Sequence, residues 1–388
     1  MIHTLAVSNY RSLLRLVLPL DQLTIITGAN GSGKSNLYRA LRLLADTAQG
    51  GVIPSLAQEG GLESTLWAGP EKISKKMRSG EVPVQGGPRT KTVKLRLGFN
   101  SNDFGYAIDL GLPAPTSSAF HLDPEIKREV IWSGPHYRTA SCLVDRKGPL
   151  IKVRNGRTFK IVTEHIPLYE SMFGHLADPV NTPEIYHLRE YIRDWRFYDQ
   201  FRTDRDAPAR QPQLGTRTPV LSHDGADVAA AIQTIREIGE TRMLDEAVDD
   251  AFPGAMLGVT CSDDSRFRVQ FTQPGLLRTL DASELSDGTL RYLLWIAALL
   301  TPRPPSLMVL NEPETSLHPD LLPALARLIV RASERSQIWI VSHAQRLINA
   351  LEESADYHSI ELQKDMGQTL IRGQRDLDEP SWHWPTKN

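Results

Sequence analysis

The chain has 388 residues, of which 40% are hydrophobic and 23% are charged, and these proportions exclude the disordered and fibrous classes of protein. The length predicts two domains, or one large core with a substantial insertion. The formal net charge is only −2, so any binding of nucleic acid would need a local basic patch.

The N-terminal region begins with strand-like patterning. Alternating apolar residues at 2–7 and apolar residues at 16–20 predict two strands, and the apolar run 23–27 predicts a third, buried strand. A helical period then begins at Ser35 and ends near two glycines at 50 and 51. Residues 60–88 mix Gly, Pro, Ser and Lys with almost no periodicity, which predicts a long mobile surface segment.

The middle of the chain changes from strand-like to helical patterning. Short β-like runs separated by turn residues predict a small antiparallel sheet, at 93–98, 106–110, 129–132 and 158–162. The segment 181–183 predicts a helix N-terminus, and Glu184 stands where a capping box with Asn181 would need it. A second helical block covers about 226–251.

The last third of the chain alternates strands and helices. Residues 256–272 predict strands that are joined by a turn at 263–264, and 285–300 predict a helix. Buried strands are predicted at 307–310 and 338–341, with a helix between them. The sequence shows no internal repeat and no sustained heptad run, so we expect no long coiled coil.

Cysteine spacing and hydropathy bear on the cellular setting. Cys142 and Cys261 lie far apart in no metal or redox spacing, which fits a reducing compartment, and we expect both to be buried. No apolar run reaches the roughly 18 residues of a membrane span, and the N-terminus lacks the pattern of a secretory signal. We therefore expect a cytoplasmic protein that does not contact membranes.

Residues 28–35, Gly-Ala-Asn-Gly-Ser-Gly-Lys-Ser, fit the P-loop pattern and lie between a predicted buried strand and a predicted helix. In such a loop, glycines allow backbone N–H groups to surround phosphate oxygens at a helix N-terminus. Lys34 is then expected to reach the β and γ phosphates of ATP, and Ser35 to ligate Mg²⁺. The alternative is an ordinary Gly-rich turn.

A second anion-binding surface is predicted where the helix at 285–300 begins. Ser286 and Gly288 lie at its N-terminus, where backbone N–H groups attract anions. A simpler interpretation, compatible with the first, makes Ser286 an N-cap. Because a chain cannot easily fold this surface onto its own P-loop, the arrangement predicts a partner subunit.

Two candidate catalytic residues follow predicted buried strands. Glu312 comes after the strand at 307–310, at the end where open α/β sheets place their ligands, and we predict that it is the general base for attack of water on the γ-phosphate. His343 follows the strand at 338–341 and is expected to contact the γ-phosphate region. The alternatives are a solvated carboxylate pair and a core histidine.

With these motifs in this order, the sequence resembles the ABC-type ATPases of the SMC, RecF and OLD group, especially short AAA-family ATPases without a long coiled coil. The resemblance covers about residues 1–50 and 275–362. It includes the group's signature serine and glycine, which match Ser286 and Gly288 at the start of the helix predicted at 285–300, here called the signature helix, and a D-loop-like segment at 313–319. It implies an α/β fold of the ABC-type P-loop NTPases, with an antiparallel β subdomain and an inserted helical lobe. We expect an N-terminal ATPase lobe, the helical lobe and a C-terminal ATPase lobe at 1–165, 166–255 and 256–388.

The resemblance also implies ATP and Mg²⁺ as cofactors. It implies nucleotide contacts from the residues that match its motifs, which are Arg11, Asn30, Gly31, Ser32, Gly33, Lys34, Ser35, Asn36, Ser286 and Gly288. The group's Walker B aspartate is replaced by Asn311. Since an amide oxygen can still orient a metal-bound water, we expect Ser35 and Asn311 to serve the metal and turnover to be slow. The glutamine of the group's Q-loop has no clear match.

The resemblance implies an ATP-dependent homodimer, a molecular switch that hydrolyses ATP and acts on DNA or on an effector protein encoded nearby, in repair or anti-phage defence. The alternative is an ATP-gated regulatory module with little or no hydrolysis, which Asn311 keeps open. A transporter subunit is disfavoured by the long separation between P-loop and signature helix. A nuclease is disfavoured because too few residues follow His343 to form such a domain.

Two stretches are candidates for contact with DNA. Residues 189–217 interleave arginines with aromatic residues, as in proteins that stack bases, although the alternative is an aromatic helix packed on a core. The second candidate consists of basic residues that are usually just solvated, namely Lys72, Lys75, Lys76 and Arg78. The acidic run at 376–379 is expected to be a solvated tail rather than a metal site.

Overall fold

The computed structural model describes residues 1–71, 73–85, 93–115, 117–176, 178–199, 201–375 and 378–385. Some residues that carry sequence predictions lie outside these ranges, namely Lys72 of the basic candidate, 86–88 of the predicted mobile segment, and Asp376 and Leu377 of the acidic tail. Within the described ranges, no helix is both long enough and apolar enough to cross a membrane.

The strands of the described chain are β1 (Ile2–Tyr10), β2 (Leu13–Pro19), β3 (Leu23–Gly28), β4 (Leu95–Ser101), β5 (Phe104–Gly111), β6 (Glu125–Ser133), β7 (Cys142–Lys147), β8 (Leu150–Asn155), β9 (Thr158–Thr163), β10 (Arg196–Tyr198), β11 (Gln213–Leu214), β12 (Met256–Cys261), β13 (Arg266–Thr272), β14 (Leu280–Asp281), β15 (Leu307–Asn311), β16 (Gln337–Val341), β17 (His358–Asp365) and β18 (Gln368–Ile371). The helices are α1 (Lys34–Thr47), α2 (Val52–Gln58), α3 (Gly61–Thr65), α4 (Lys75–Arg78), α5 (Met172–His175), α6 (Pro183–Arg193), α7 (Val228–Ile238), α8 (Thr241–Ala251), α9 (Asp287–Leu299), α10 (Leu322–Ser333) and α11 (Gln345–Ser354).

Residue contacts divide the chain into two compact units, and the first comprises Met1–Asp21, Thr27–Asp194 and Ile360–Asn388. Its centre is an antiparallel sheet in the order β2-β1-β4-β5-β6-β7-β8-β9, against which α1 packs. Strands β7 and β8 alternate buried and more exposed residues, as half-buried strands do, whereas β4 and β5 are buried along almost their whole length. This sheet confirms the antiparallel β subdomain that the short β-like runs predicted.

The second unit comprises Gln22–Ile26 and Trp195–Ser359. Four of its strands pair in parallel in the order β10-β15-β16-β3, and their apolar runs are buried on both faces. Helix α9 is also buried on all sides from Leu290 to Leu299, because its residues are apolar around nearly the whole helix. The strands predicted at 307–310 and 338–341 are thus confirmed as core strands.

Several local predictions are wrong. Helix α6 begins at Pro183 with Thr182 as its N-cap and no side-chain cap, so the predicted capping box does not form. Cys142 is buried as predicted, but Cys261 is exposed because it lies at the exposed end of β12. The described part of 60–88 contains α3 and α4, where the sequence predicted no regular structure.

The aromatic stretch at 189–217 runs from the end of α6 into β10, a strand of the core sheet, where the sequence offered an aromatic helix or a DNA-binding surface. Arg196–Tyr198 form β10, which pairs in parallel with β15. The aromatic side chains of the stretch are all buried, namely Trp195, Phe197, Tyr198 and Phe201. Buried rings cannot stack on bases, so the stacking interpretation of this stretch is wrong. The three-lobe division stays a prediction.

Candidate functional site

The P-loop of the first unit has the backbone that a phosphate cradle requires. Strand β3 ends at Gly28, and α1 begins at Lys34 with Gly33 as its N-cap. Gly28, Gly31 and Gly33 have φ values of +142°, +80° and +112°, a region that side chains rarely tolerate. The backbone of the turn therefore favours glycine at these three positions.

Two of these glycines also meet close neighbours within the unit. A Cβ atom at Gly33 would lie 2.1 Å from Thr369 Oγ1, and one at Gly28 would lie 2.4 Å from the Leu362 carbonyl oxygen. At Gly31, by contrast, a Cβ would meet no atom of the described residues within 4 Å, so the loop is open on this side. The hairpin of β17 and β18 thus backs the loop, and Gly31 stands on its open side.

Lys34 is folded into the loop. Its Nζ donates hydrogen bonds to the carbonyl oxygens of Gly28 at 2.6 Å and Ala29 at 3.3 Å, and the side chain is buried. The first-turn N–H groups of α1 have no side-chain cap, so they point out of the helix as donors. The hydroxyl of Ser32 is buried without a hydrogen-bond partner among the described residues. An ammonium, open N–H groups and an orphaned hydroxyl suit the phosphates of ATP.

Ser35 and Asn30 are exposed at the loop, where the sequence predicted contacts with metal and nucleotide. A serine hydroxyl is a ligand that Mg²⁺ accepts, and such a site would use Ser35 together with phosphate oxygens and water. Among the described residues, no three His, Cys, Asp or Glu side chains form a metal-binding cluster. Mg²⁺ in nucleotide sites usually takes several of its ligands from substrate phosphates and water.

A buried polar chain ties the loop to distant parts of the first unit. Thr369 Oγ1 donates to the Ser32 carbonyl oxygen at 2.8 Å and lies 2.7 Å from Ser12 Oγ. Asn36 Nδ2 donates to Ser12 Oγ at 2.8 Å, and Thr369 N donates to the Ser12 carbonyl at 2.8 Å. Sequence reasoning missed Thr369 because no motif contains it. Asn36, which the sequence predicted to bind nucleotide, belongs to this hydrogen-bonded network through Ser12.

Arg11 is held by an acidic partner within the same unit. Its Nε and Nη2 donate to Glu59 Oε2 at 3.1 and 2.8 Å, and Tyr10 Oη donates to the same carboxylate. Burial, together with the hydrogen bond to Glu59, raises the pKa of the Tyr10 hydroxyl above its ordinary value. The predicted nucleotide contact of Arg11 requires this guanidinium to leave Glu59.

In the second unit, parallel register brings the ends of three strands to one edge of the sheet. Asn311 pairs with Val341, and Val341 pairs with Ile26 at the end of this unit's part of β3. The residues that follow β15 and β16 include Glu312 and His343, so both predicted catalytic residues lie at this edge. The structure therefore places Glu312 and His343 close together, as their positions at strand ends predicted.

Glu312 adopts a left-handed backbone conformation, with φ of +50°. This is costly for a residue with a side chain and is typical of functional sites. Its N–H still donates to the Val341 carbonyl at 2.7 Å, and its carboxylate lies 3.5 Å from His343 Nδ1. Both side chains are about half exposed, at 43% and 53%. A carboxylate held here can accept a proton from a nearby water.

Glu314, the second acidic residue after β15, is buried and has a different role from Glu312. Its Oε1 accepts hydrogen bonds from Ser342 Oγ at 2.7 Å and from the His343 N–H at 3.2 Å. Its Oε2 is buried and has no hydrogen-bond partner among the described residues. Glu314 therefore fixes the loop that carries His343, and only Glu312 of the two can reach solvent. The sequence did not distinguish these roles.

The signature segment begins α9 in the second unit. Ser286 is the N-cap, and its Oγ accepts from the Thr289 N–H at 3.1 Å, which confirms the capping interpretation. The buried Arg210 anchors the preceding turn by donating to the Leu285 carbonyl at 2.7 Å and to Asp287 Oδ1 at 2.6 Å. A Cβ at Gly288 would lie 3.2 Å from the Ser316 carbonyl of the D-loop segment. The helix N-terminus is thus held rigidly at the surface.

Asn311, at the Walker B position, donates a hydrogen bond from Nδ2 to Asp199 Oδ1. Asp199 follows β10, which neighbours β15 in the sheet. The sequence analysis missed Asp199 because β10 has only three residues, and its aromatic side chains did not indicate that a strand ends there. The signal that would have found it is an acidic residue directly after a short apolar run.

The chain matches, over residues 23–139 and 155–349, the protein family described as "AAA domain, putative AbiEii toxin, Type IV TA system". It is similar to the solved SmcHead bound to the C-winged helix domain of ScpA, at 13% identity and a TM-score of 0.52, covering 95% of this chain and 97% of that one. It is also similar to the Smc head domain with an extended coiled coil bound to the C-terminal domain of ScpA derived from Pyrococcus furiosus, at 12% identity and a TM-score of 0.50, with 95% of each chain covered. At these identities, the structures show a shared fold, which confirms the α/β fold of the ABC-type group. No curated protein sequence matches the chain.

Proposed function

This chain belongs to the AAA-domain family that its sequence matches, and from that membership we propose that it binds ATP with Mg²⁺, hydrolyses the ATP and works as a dimeric molecular switch. The observation that carries the proposal is the loop before α1. There the Lys34 ammonium, uncapped first-turn N–H groups and the orphaned Ser32 hydroxyl together form an anion site of the P-loop kind. An ordinary Gly-rich turn would not need a buried lysine.

The second unit supplies the proposed catalytic groups. Glu312 accepts a proton from the water that attacks the γ-phosphate, which contributes about 10²–10⁴-fold to the rate. His343 lies beside it and contacts the γ-phosphate, and Glu314 holds the His343 loop in place. Bound Mg²⁺ would neutralise phosphate charge, with Ser35 and Asn311 as the residues that serve it.

The N-terminus of the signature helix α9 supports the proposed dimer. Ser286 and the N-terminus of α9 form an exposed anion-binding surface, whose rigidity comes from Arg210 and the N-cap. In the proposed dimer, this surface binds the γ-phosphate held by the P-loop of a second copy. ATP then joins two subunits, and hydrolysis separates them.

The target of the switch is DNA or an effector protein encoded nearby, in repair or anti-phage defence. Because the aromatic residues of 189–217 are buried, the support for DNA stacking is gone, and the balance shifts toward a protein target. The family description names a toxin system, and the similar Smc heads are bound to a domain of ScpA. Neutral Asn311 favours one further candidate, an ATP-gated module with little hydrolysis.

The test measures ATP affinity and turnover of purified protein beside Lys34→Ala, with Lys75→Ala as a control for removing an exposed lysine. We expect the wild type and the control to bind a fluorescent ATP analogue, and Lys34→Ala to lose binding because it lacks the charge inside the loop. Binding with no turnover would favour the gated module over the ATPase. Equal affinity in all three proteins would refute the P-loop assignment.

A further inference from the structure

We propose that Asp199 supplies the negative charge for Mg²⁺·ATP that the Walker B position lacks in this chain. The proposal rests on the proposed function. It states that the negative charge lost where Asn311 replaces aspartate is supplied by Asp199 on the neighbouring strand. Asp199 and Asn311 sit at the ends of adjacent parallel strands, and their side chains are hydrogen-bonded to each other. The ends of such strands are where α/β sheets place their ligands.

The register of the two strands makes this pairing specific. Tyr198 of β10 pairs with Leu310 of β15, so Asp199 and Asn311 are the next residue on each strand. Asp199 is exposed and Asn311 is partly exposed, and both side chains can therefore reach a bound ion or its water shell. Tyr198 and Leu310 behind them are fully buried, which fixes the two strand ends.

Chemistry decides which way the Asn311 amide faces. A carboxylate only accepts hydrogen bonds, so the amide NH₂ group must face Asp199 and the amide oxygen must face away from it. The pair thus presents one negative charge and one oriented carbonyl-type oxygen. Both are oxygen ligands of the kind that Mg²⁺ or its bound water prefers.

The same contact explains why position 311 is neutral. An aspartate at 311 would place two carboxylates at hydrogen-bonding distance, and like charges so close cannot both ionise readily. Asn311 beside Asp199 has the same net charge as an aspartate beside a neutral residue. The charge that the group's motif places on the central strand is therefore on the neighbouring strand here.

The experiment titrates Mg²⁺ at a fixed concentration of a fluorescent, non-hydrolysable ATP analogue, and it follows binding instead of turnover. The variants are Asp199→Asn and the swapped double variant Asp199→Asn with Asn311→Asp. Asp204→Asn is the control, because Asp204 is an exposed aspartate of the loop that follows β10. The same affinities are measured in EDTA to isolate the metal-dependent part.

We expect Asp199→Asn to raise the Mg²⁺ concentration for half-maximal binding by about 10- to 100-fold, the usual effect of losing a partner that orients a metal's ligands. The swapped variant should restore most of this loss, and Asp204→Asn should match the wild type. In EDTA, all variants should bind alike. The proposal is overturned by a normal Mg²⁺ requirement in Asp199→Asn, by failure of the swap to restore it, or by an equal loss in EDTA.

These outcomes are distinct from failure of the proposed function. If the wild type does not bind the analogue, or if Lys34→Ala binds it equally well, the P-loop assignment fails and this proposal fails with it. If binding depends on Lys34 but Asp199→Asn behaves like the wild type, the ATP site stands and only the relocated charge is refuted.

Discussion

Replacing Thr369 by valine removes a hydroxyl that ties the P-loop to the rest of the first unit. Valine has nearly the same shape, so the change deletes two hydrogen bonds, at 2.8 Å to the Ser32 carbonyl and at 2.7 Å to Ser12 Oγ. Each bond contributes about 1 kcal/mol, and the buried polar partners left behind cost about 1–3 kcal/mol more. We expect the free energy of unfolding to fall by about 3–5 kcal/mol, a large part of the stability of a typical protein.

The assay is urea denaturation followed by tryptophan fluorescence, with ATP-analogue affinity measured on the same samples. Thr369→Ser is the matched control, because it keeps the hydroxyl and removes only a methyl group. We expect Thr369→Val to be the less stable of the two and also to bind the analogue more weakly, since the loop is then less preorganised. Equal stability and equal affinity of the two variants would refute the role of Thr369 as a tether.

The two acidic residues after β15 should differ in their effect on stability. Glu312→Gln is expected to retain ATP binding and to slow turnover by about 10²–10⁴-fold, since it removes the proposed base while preserving shape; turnover at the wild-type rate in a phosphate-release assay would place the base elsewhere. Glu314→Leu should bind ATP normally but show reduced turnover and reduced thermal stability, because Ser342 and the His343 N–H lose their acceptor. A change in stability alone would assign Glu314 a purely structural role.

The sequence predicts the parts of this site that depend on short contiguous patterns. The P-loop is one such part, because glycines, lysine and serine at fixed spacing determine the turn itself. Glu312 and His343 could be placed because strand ends in a parallel sheet meet at one edge. Ser286 as an N-cap follows from the local sequence at the start of an apolar helix.

The remaining parts depend on contacts that no local pattern encodes. The Thr369 bond to Ser32 joins residues 337 positions apart. The position of Asp199 at a strand end depends on the pairing of β10 with β15. The local sequence does not predict this strand, because three aromatic-rich residues suit a helix and a strand equally well. The ion pair between Arg11 and Glu59 could not be predicted either, because two residues far apart in the sequence form no spacing pattern that indicates an ion pair.

The most direct test of the central claim is the mass of the protein in solution with ATP and Mg²⁺, measured by light scattering in a Glu312→Gln background. Ser286→Arg adds bulk to the proposed dimer surface, and Ser354→Arg, at the exposed end of α11, controls for an added arginine. Loss of the N-cap alone would cost only about 1 kcal/mol of stability. We predict an ATP-dependent dimer for Glu312→Gln and for the Ser354→Arg control, and a monomer that still binds ATP for Ser286→Arg. A dimer of normal mass in Ser286→Arg would contradict the ATP-joined dimer.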